Sequence, residues 1–275
     1  MPLDCSDEIV RHNFKGKVML MSNSDRDWEQ LGRNDPYFAV VAYEKYHKGS
    51  LNENSLREFF ESGQAHIDFV IRTTRTHLNP HFQPTKALDF GCGVGRLIVP
   101  LALICDSVVG VDVSESMLQE ARRNCDERGI SNVEFIKGDD FLSEVSGTFN
   151  FVHSFIVFQH IPYKRGELLL RRLIYLLEEG GVGVLHFTYF RKASRLRRFL
   201  SYACKLLPFA HNLRNLIEGK DFSYPLMQMN HYNLNNLFLI LQETGCHSSY
   251  TRFTNHSGHC GVILFFQRKH LDAAC

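Results

Sequence analysis

The amino-acid sequence predicts an α/β protein. It has a seven-stranded, mostly parallel sheet with an antiparallel last strand, a helical N-terminal cap and a lid insertion. Three observations carry this expectation. From Lys86 to Phe187, short apolar runs alternate with segments at helical spacing, the pattern of a parallel sheet covered by crossover helices. The first apolar run breaks into Gly91-Cys92-Gly93-Val94-Gly95, where glycine supplies positive φ or a close backbone approach. The last two apolar runs are joined only by Asn255-His256-Ser257-Gly258-His259, a hairpin connection that reverses the final strand.

Residues 1–27 are polar and read as irregular. Trp28 to Tyr46 holds the only tryptophan and four more aromatics, with Asp35-Pro36 as a turn or helix start. Asn54-Ser55 reads as the N-cap of a helix from Leu56 to about Leu78, with Leu56, Phe59, Phe60, Ile67, Val70, Ile71, Thr74 and Leu78 at helical spacing. Residues 1–85 therefore form the cap, and 86–275 the core.

Within the core, strands are expected at Ala87–Phe90, Ser107–Asp112, Val133–Lys137, Phe149–Ser154 and Val182–Phe187. Helices are expected at about Gly95–Cys105, after an N-cap at Ser114, and at about Lys164–Glu178, with Gly180-Gly181 as the stop. A short turn or helix fills Asp139–Val145. A further helix covers Asn233–Thr244, followed by strands at about His247–Thr254 and Cys260–Arg268.

Bulk properties narrow the function classes. The 275 residues are 44% hydrophobic and 22% charged, with a formal net charge of +1. That is an ordinary globular composition, and it argues against a dedicated nucleic-acid binder that relies on a basic surface. No apolar run approaches 18 residues and the N-terminus has no apolar leader, so neither a transmembrane helix nor a secretory signal is expected. None of the eight cysteines forms a C-x-x-C pair, which reads as reduced thiols in a cytoplasmic protein. The pairs His77/His81 and His256/His259 lack ligand spacing on one helical face, so no metal site is expected.

Chemistry in an open parallel sheet gathers beyond the carboxyl ends of the strands. The first strand ends in the glycine turn. No Gly-Lys-Ser/Thr follows it, so it is not a phosphate loop, and its G-x-G-x-G spacing departs from the dinucleotide pattern. The second strand ends in Asp112, whose carboxylate suits a ribose diol. The third ends in Gly138-Asp139-Asp140-Phe141, an acid pair followed by a flat apolar side chain. The fourth ends in His153-Ser154, leading into Phe155-Ile156-Val157-Phe158-Gln159-His160-Ile161-Pro162.

Together, Asp89-x-Gly-x-Gly-x-Gly95, Asp112, Gly138-Asp139 and Gly180-Gly181 before a strand resemble the class I S-adenosylmethionine-dependent methyltransferases, which are Rossmann-like, in their small-molecule branch. The resemblance covers about residues 86–190 by motif and 233–268 by pattern. It implies S-adenosylmethionine as cofactor. It implies that Asp89 and the wrapping residues Gly91, Cys92 and Gly93 meet its methionine and ribose, and that Asp112, followed by Val113, takes the ribose hydroxyls. Asp139 or Asp140 would meet the adenine N6, with Phe141 beside the ring and Met117 covering it. Ser154 would reach the methionine amine through its carbonyl. Arg33 and Tyr37 are the candidates for the cofactor's carboxylate.

His160 is the candidate general base, since it borders the expected pocket and an ordinary imidazole titrates near pH 6.5; the alternative is that it only caps a helix or shapes the wall. Tyr37, Phe38, Gln159, Met227, Met229 and Tyr232, with Trp28 and Tyr43, suggest a largely apolar or aromatic small acceptor, methylated on O or N as in secondary metabolism. Within the expected lid, about 190–230, residues 191–214 are rich in Arg and Lys with no acid. They read as a lid helix with a solvated basic face, although an anionic membrane surface also fits 191–207. An RNA or protein methyltransferase, or a non-catalytic cofactor binder, stands as the alternative.

Overall fold

The computed structural model describes residues 23–192, 227–256 and 258–269. The residues 193–226, which hold most of the expected lid and basic segment, lie outside it. Strand β1 (Lys86–Phe90) sits mid-sheet because it is apolar on both faces, and only Lys86 is exposed. Around it the order is β3-β2-β1-β4-β5-β7-β6, where β2 is Ser107–Asp112, β3 Val133–Lys137, β4 Phe149–Ser154, β5 Leu177–Arg191, β6 Ser248–His256 and β7 His259–Gln267. The pairs among β1 to β5 are parallel, and β7 lies antiparallel between β5 and β6. The fold class is therefore the one expected. Order reverses between β1 and β4, which opens a crevice at their carboxyl ends.

Successive residues of a strand face opposite sides, so β1 feeds two cores. Leu88 and Phe90 join Val152, Phe158, Leu170, Leu173 and Leu237 on one face. Ala87 joins Ile67, Val70, Leu101, Leu118, Phe151 and Val184 on the other. A third cluster packs the cap residues Leu31, Tyr37, Tyr46 and Phe59 against Val94 and Met117 of the core.

The cap holds α1 (Asn23–Asn34), α2 (Pro36–Val40), a 3-10 turn at Glu44–Tyr46 and α3 (Glu53–His77). Residues 23–27 are thus helical rather than irregular. The N-cap of α3 is Asn52, not Asn54-Ser55: Asn52 accepts from the Ser55 amide at 3.1 Å while Ser55 Oγ accepts from the Asn52 amide at 2.9 Å, a reciprocal capping box. Gly63 lets α3 lie against the glycine turn, because a Cβ there would sit 2.2 Å from the Arg96 carbonyl oxygen.

Further boundaries differ from expectation. Helix α4 is short, Ile98–Ala102, since Pro100 allows only a first turn around it. Helix α5 is Glu115–Asp126, capped by Ser114 as expected. Helix α6, Tyr163–Tyr175, stops before Gly180, and β5 begins at Leu177, which pairs with Phe149 of β4, while its pairing with β7 starts at Val182. Helix α7 is Leu234–Glu243. The closing hairpin is tighter than its sequence suggests, with His256 and His259 paired across it. No described helix is long and apolar enough to cross a membrane, and the cysteines at 92, 105, 125, 246 and 260 are free thiols.

Candidate active site

A cavity of about 550 Å³ opens at the carboxyl ends of β1, β2 and β4, beneath α1 and residues 40–43. The glycine turn forms its floor. Gly91 adopts φ +76° and Gly93 φ +54°, in the region that a Cβ disfavours. Space is short as well: a Cβ on Gly91 would lie 2.3 Å from Val157 Cγ2, and one on Gly93 2.7 Å from Val40 Cγ2. The turn is anchored to β2, since the Gly91 and Cys92 amides both donate to the Val111 carbonyl, at 2.7 and 3.0 Å.

Asp112 closes the second side. Its carboxylate accepts from the Gly93 amide and the Ser114 amide, each at 2.9 Å. Burial pushes its pKa up to about 6, against the pull of these two donors and with the help of the nearby Asp89 charge. Each carboxylate oxygen keeps a lone pair for a ligand hydroxyl. Val113 and Met117 continue this wall, and Met117 is also buried in the cap cluster.

At the third strand's end the acid pair divides. Asp139 lines the cavity and accepts from the amides of Phe141 and Ser143, both at 2.9 Å. Burial raises its carboxyl pKa, but those bonds outweigh it and hold it below the usual value. Asp140 turns away and pairs with Arg165, whose guanidinium also grips Asp25 of α1 at 2.8 and 3.1 Å. Phe141 is half exposed and lies outside the cavity wall, so the structure does not bring it to a bound ring. Ser154 is buried behind the wall, its hydroxyl donating to the Phe90 carbonyl at 2.7 Å.

Asp89 lines the cavity and holds His153 Nδ1 at 2.8 Å. His153 in turn meets His66 of α3 at 3.1 Å, and burial with the neighbouring His153 pushes His66 well below the ordinary imidazole value. This chain joins β1, β4 and the cap through buried side chains.

His160 also lines the cavity. Its Nδ1 lies 2.8 Å from the Gln228 carbonyl, and its Nε2 3.1 Å from Gln159 Nε2. A carbonyl only accepts, so Nδ1 carries the proton and Nε2 accepts from the Gln159 amide. Gln159 is itself fixed, because its Oε1 accepts from Thr188 Oγ1 at 3.0 Å. Trp28 stands edge-on to the imidazole at 4.8 Å. Burial pulls the His160 pKa down to about 4. The ring is a wall group with both nitrogens engaged, the arrangement of the second of the two readings that the sequence leaves open.

Gln159, Met227 and Met229 line the cavity, with Trp28 and Tyr43. Three expected acceptor contacts do not. Tyr37 is buried and donates to Glu120 at 2.6 Å, and burial pushes its pKa up to about 12. Phe38 stacks on His47 with ring centres 3.6 Å apart. The Tyr232 hydroxyl sits between the Phe158 and Ile161 carbonyls, at 3.0 and 2.9 Å, and pins the segment that carries His160. Arg33 points outward, its side chain 73% exposed and paired with Glu29.

The cavity also gathers residues that sequence reasoning passed over: Arg96, Phe155, Val157, His256 and His259. For the two histidines a signal existed. Since β7 runs antiparallel to β5, the β6–β7 turn must lie at the carboxyl edge of the sheet, beside the glycine turn. Among the described residues no group of His, Cys, Asp and Glu has the makings of a metal site.

Comparison with known proteins fits this geometry. Residues 87–181 match a family model described as a methyltransferase domain. The 23S rRNA (uracil(1939)-C(5))-methyltransferase of Marinomonas sp. is 32% identical over 130 residues, 43% of this chain and 29% of that protein. A ubiquinone biosynthesis O-methyltransferase from Thiobacillus denitrificans is 35% identical over 78 residues, 28% of this chain and 34% of that one. The chain thus spans about a third or less of the length of these curated relatives. The crystal structure of magnesium protoporphyrin IX methyltransferase from Synechocystis PCC 6803 with bound S-adenosylhomocysteine superposes with a TM-score of 0.59. It is 20% identical, covering 88% of this chain and 100% of that one, and the likeness is one of fold.

Proposed function

We propose that the chain, whose residues 87–181 match a methyltransferase domain, is an S-adenosylmethionine-dependent methyltransferase that acts on a small, largely apolar or aromatic acceptor at oxygen or nitrogen. The observation that carries the reading is a single cavity whose lining combines the glycine turn, Asp89, Asp112 and Asp139 with the apolar side chains of Trp28, Tyr43, Phe155, Met227 and Met229. The residues present fit the cofactor: the cradle at Gly91 and Gly93 is space that a Cβ would fill, and the Asp112 carboxylate matches a diol.

The cofactor supplies an electrophilic methyl group on a sulfonium. In this reading the glycine turn and Cys92 hold its amino-acid and ribose portions, Asp112 the hydroxyls, and Asp139, Val113 and Met117 the base. Positioning of the acceptor supplies most of the rate. His160, neutral and doubly bonded, fixes the acceptor end rather than taking a proton. His256 and His259 at the rim are the imidazoles available to a hydroxyl acceptor, and burial lowers both pKa values, which keeps them unprotonated at neutral pH.

The rRNA relative and the ubiquinone O-methyltransferase match 43% and 28% of this chain, so they support the cofactor reading and leave the acceptor to the experiment. Cap residues 1–85 and core 86–275, a cytoplasmic setting, a small-molecule partner and no DNA partner belong to the same proposal. The deciding experiment incubates the full chain with methyl-labelled cofactor and either pooled small phenols, acids and amines or bulk RNA. Label in the small-molecule pool supports the reading; label in RNA alone overturns the acceptor class, and no binding of S-adenosylhomocysteine overturns the cofactor.

A further inference from the structure

Arg96 directly follows the last glycine of the turn, yet it is buried, 9% exposed, and lines the cavity. Its Nη1 donates to Ser62 Oγ on α3 at 3.2 Å, its Nε has no hydrogen-bond partner, and no ion pair holds it among the described residues. Ser62 is itself fixed, since its hydroxyl donates to the Phe59 carbonyl at 2.6 Å. A guanidinium removed from water is costly unless an anion meets it. The acid whose charge reaches it, Asp89, is engaged with His153 at 2.8 Å. The wall therefore carries an acid at the end of β1 and, on the other side of the glycines, a cation with an unsatisfied donor.

An α-amino acid end presents the complementary pair, an ammonium and a carboxylate. The geometry points to Arg96 as the residue that takes the α-carboxylate of the cofactor's amino-acid end, with Ser62 aiming the guanidinium and Asp89 on the ammonium side. This rests on the cofactor reading above. It replaces Arg33 and Tyr37, which the structure turns away from the cavity. A guanidinium presents parallel N–H donors to a carboxylate; Nε is shut off from solvent, so the carboxylate is met through the Nη groups.

The test compares two ligands on the full chain by titration calorimetry: S-adenosylhomocysteine and its decarboxylated analogue. The wild-type protein is expected to prefer the carboxylate-bearing ligand by roughly 10–100-fold, the scale of a hydrogen bond to a charged group. Arg96→Gln should bring that ratio close to one by weakening S-adenosylhomocysteine alone, and Arg96→Lys should keep part of it. A wild-type protein that binds both ligands equally overturns the assignment, whatever the variants do. So does an Arg96→Gln protein that keeps the preference, or one that loses both ligands in equal measure. A wild-type protein that binds neither ligand overturns the cofactor reading itself, a result distinct from all of these.

Discussion

Glu29 of α1 accepts a 2.7 Å hydrogen bond from Ser116 Oγ, two residues beyond the N-cap of α5. The same carboxylate accepts from Ser114 Oγ at 2.9 Å and from the Ser116 amide at 3.2 Å. An acid at a helix N-terminus meets the positive end of the helix dipole. Although burial raises its pKa, these bonds outweigh that and hold it below the usual carboxylate value. With Asp25 on Arg165, this clamps α1 over the cavity. Glu29→Gln is expected to cost about 1–2 kcal/mol of stability and to speed release of S-adenosylhomocysteine several-fold. Stopped-flow displacement is the measurement, and an unchanged off-rate would show that α1 does not gate the cavity.

Gly91 carries two separate constraints, its positive φ and its closeness to Val157. Gly91→Ala should cost roughly 1–2 kcal/mol for the backbone alone, with a further steric cost. In the double variant Gly91→Ala with Val157→Ala the steric part should return and the backbone part remain. Chemical denaturation of the two single variants and the double variant separates them; full recovery would mean that φ at 91 is not costly.

Ile156 also lies in the left-handed region, at φ 63°, and lines the cavity. A β-branched residue is strained there. Ile156→Gly is therefore expected to leave stability unchanged or raise it by up to about 1 kcal/mol, where truncation of a partly buried isoleucine elsewhere would lower it. A clear drop in Tm would sink this idea.

His160 links stability to pH. Its folded-state pKa, about 4, lies below the ordinary 6.5, so the unfolded chain binds a proton first as pH falls. The stability that comes from keeping this ring neutral is whole above about pH 6.5 and is lost as pH falls through about 4, up to roughly 3 kcal/mol. His186, at about 3, acts in the same direction. Urea unfolding between pH 7 and 4 should show a falling midpoint, and His160→Gln should flatten that slope by its own share. An unaltered slope would argue that His160 is already solvated.

Much of the fold could be read because its signals are local. The glycine spacing, the acid ending β2, the Ser114 cap and the short closing connection each act within a few residues. The side chains at fault were those whose direction depends on distant partners. Phe141 follows an acid at a strand end, but the Asp139 carboxylate curls the chain back on itself and leaves the ring half exposed, outside the cavity wall. Tyr37 and Tyr232 look like pocket aromatics, yet each spends its hydroxyl on a structural acceptor, Glu120 in one case and two carbonyls in the other. Arg96 carries no signal of its own in the sequence; the approach of α3, through Ser62 and Gly63, buries it. His256 and His259 lack metal-ligand spacing, yet topology places them at the carboxyl edge of the sheet.

The contact between Gly63 and the Arg96 carbonyl sets a limit on protein engineering. An α-helix turns about 100° per residue, so one residue inserted between the Asn52 cap and Gly63 would swing Ser62 off the guanidinium. It would also aim a different side chain at a carbonyl oxygen that leaves no room for a Cβ. A cap grafted from another protein must therefore bring glycine at this register, with serine just before it. The two parts are not interchangeable cassettes, and a chimera that ignores this register should misplace the very turn on which binding depends.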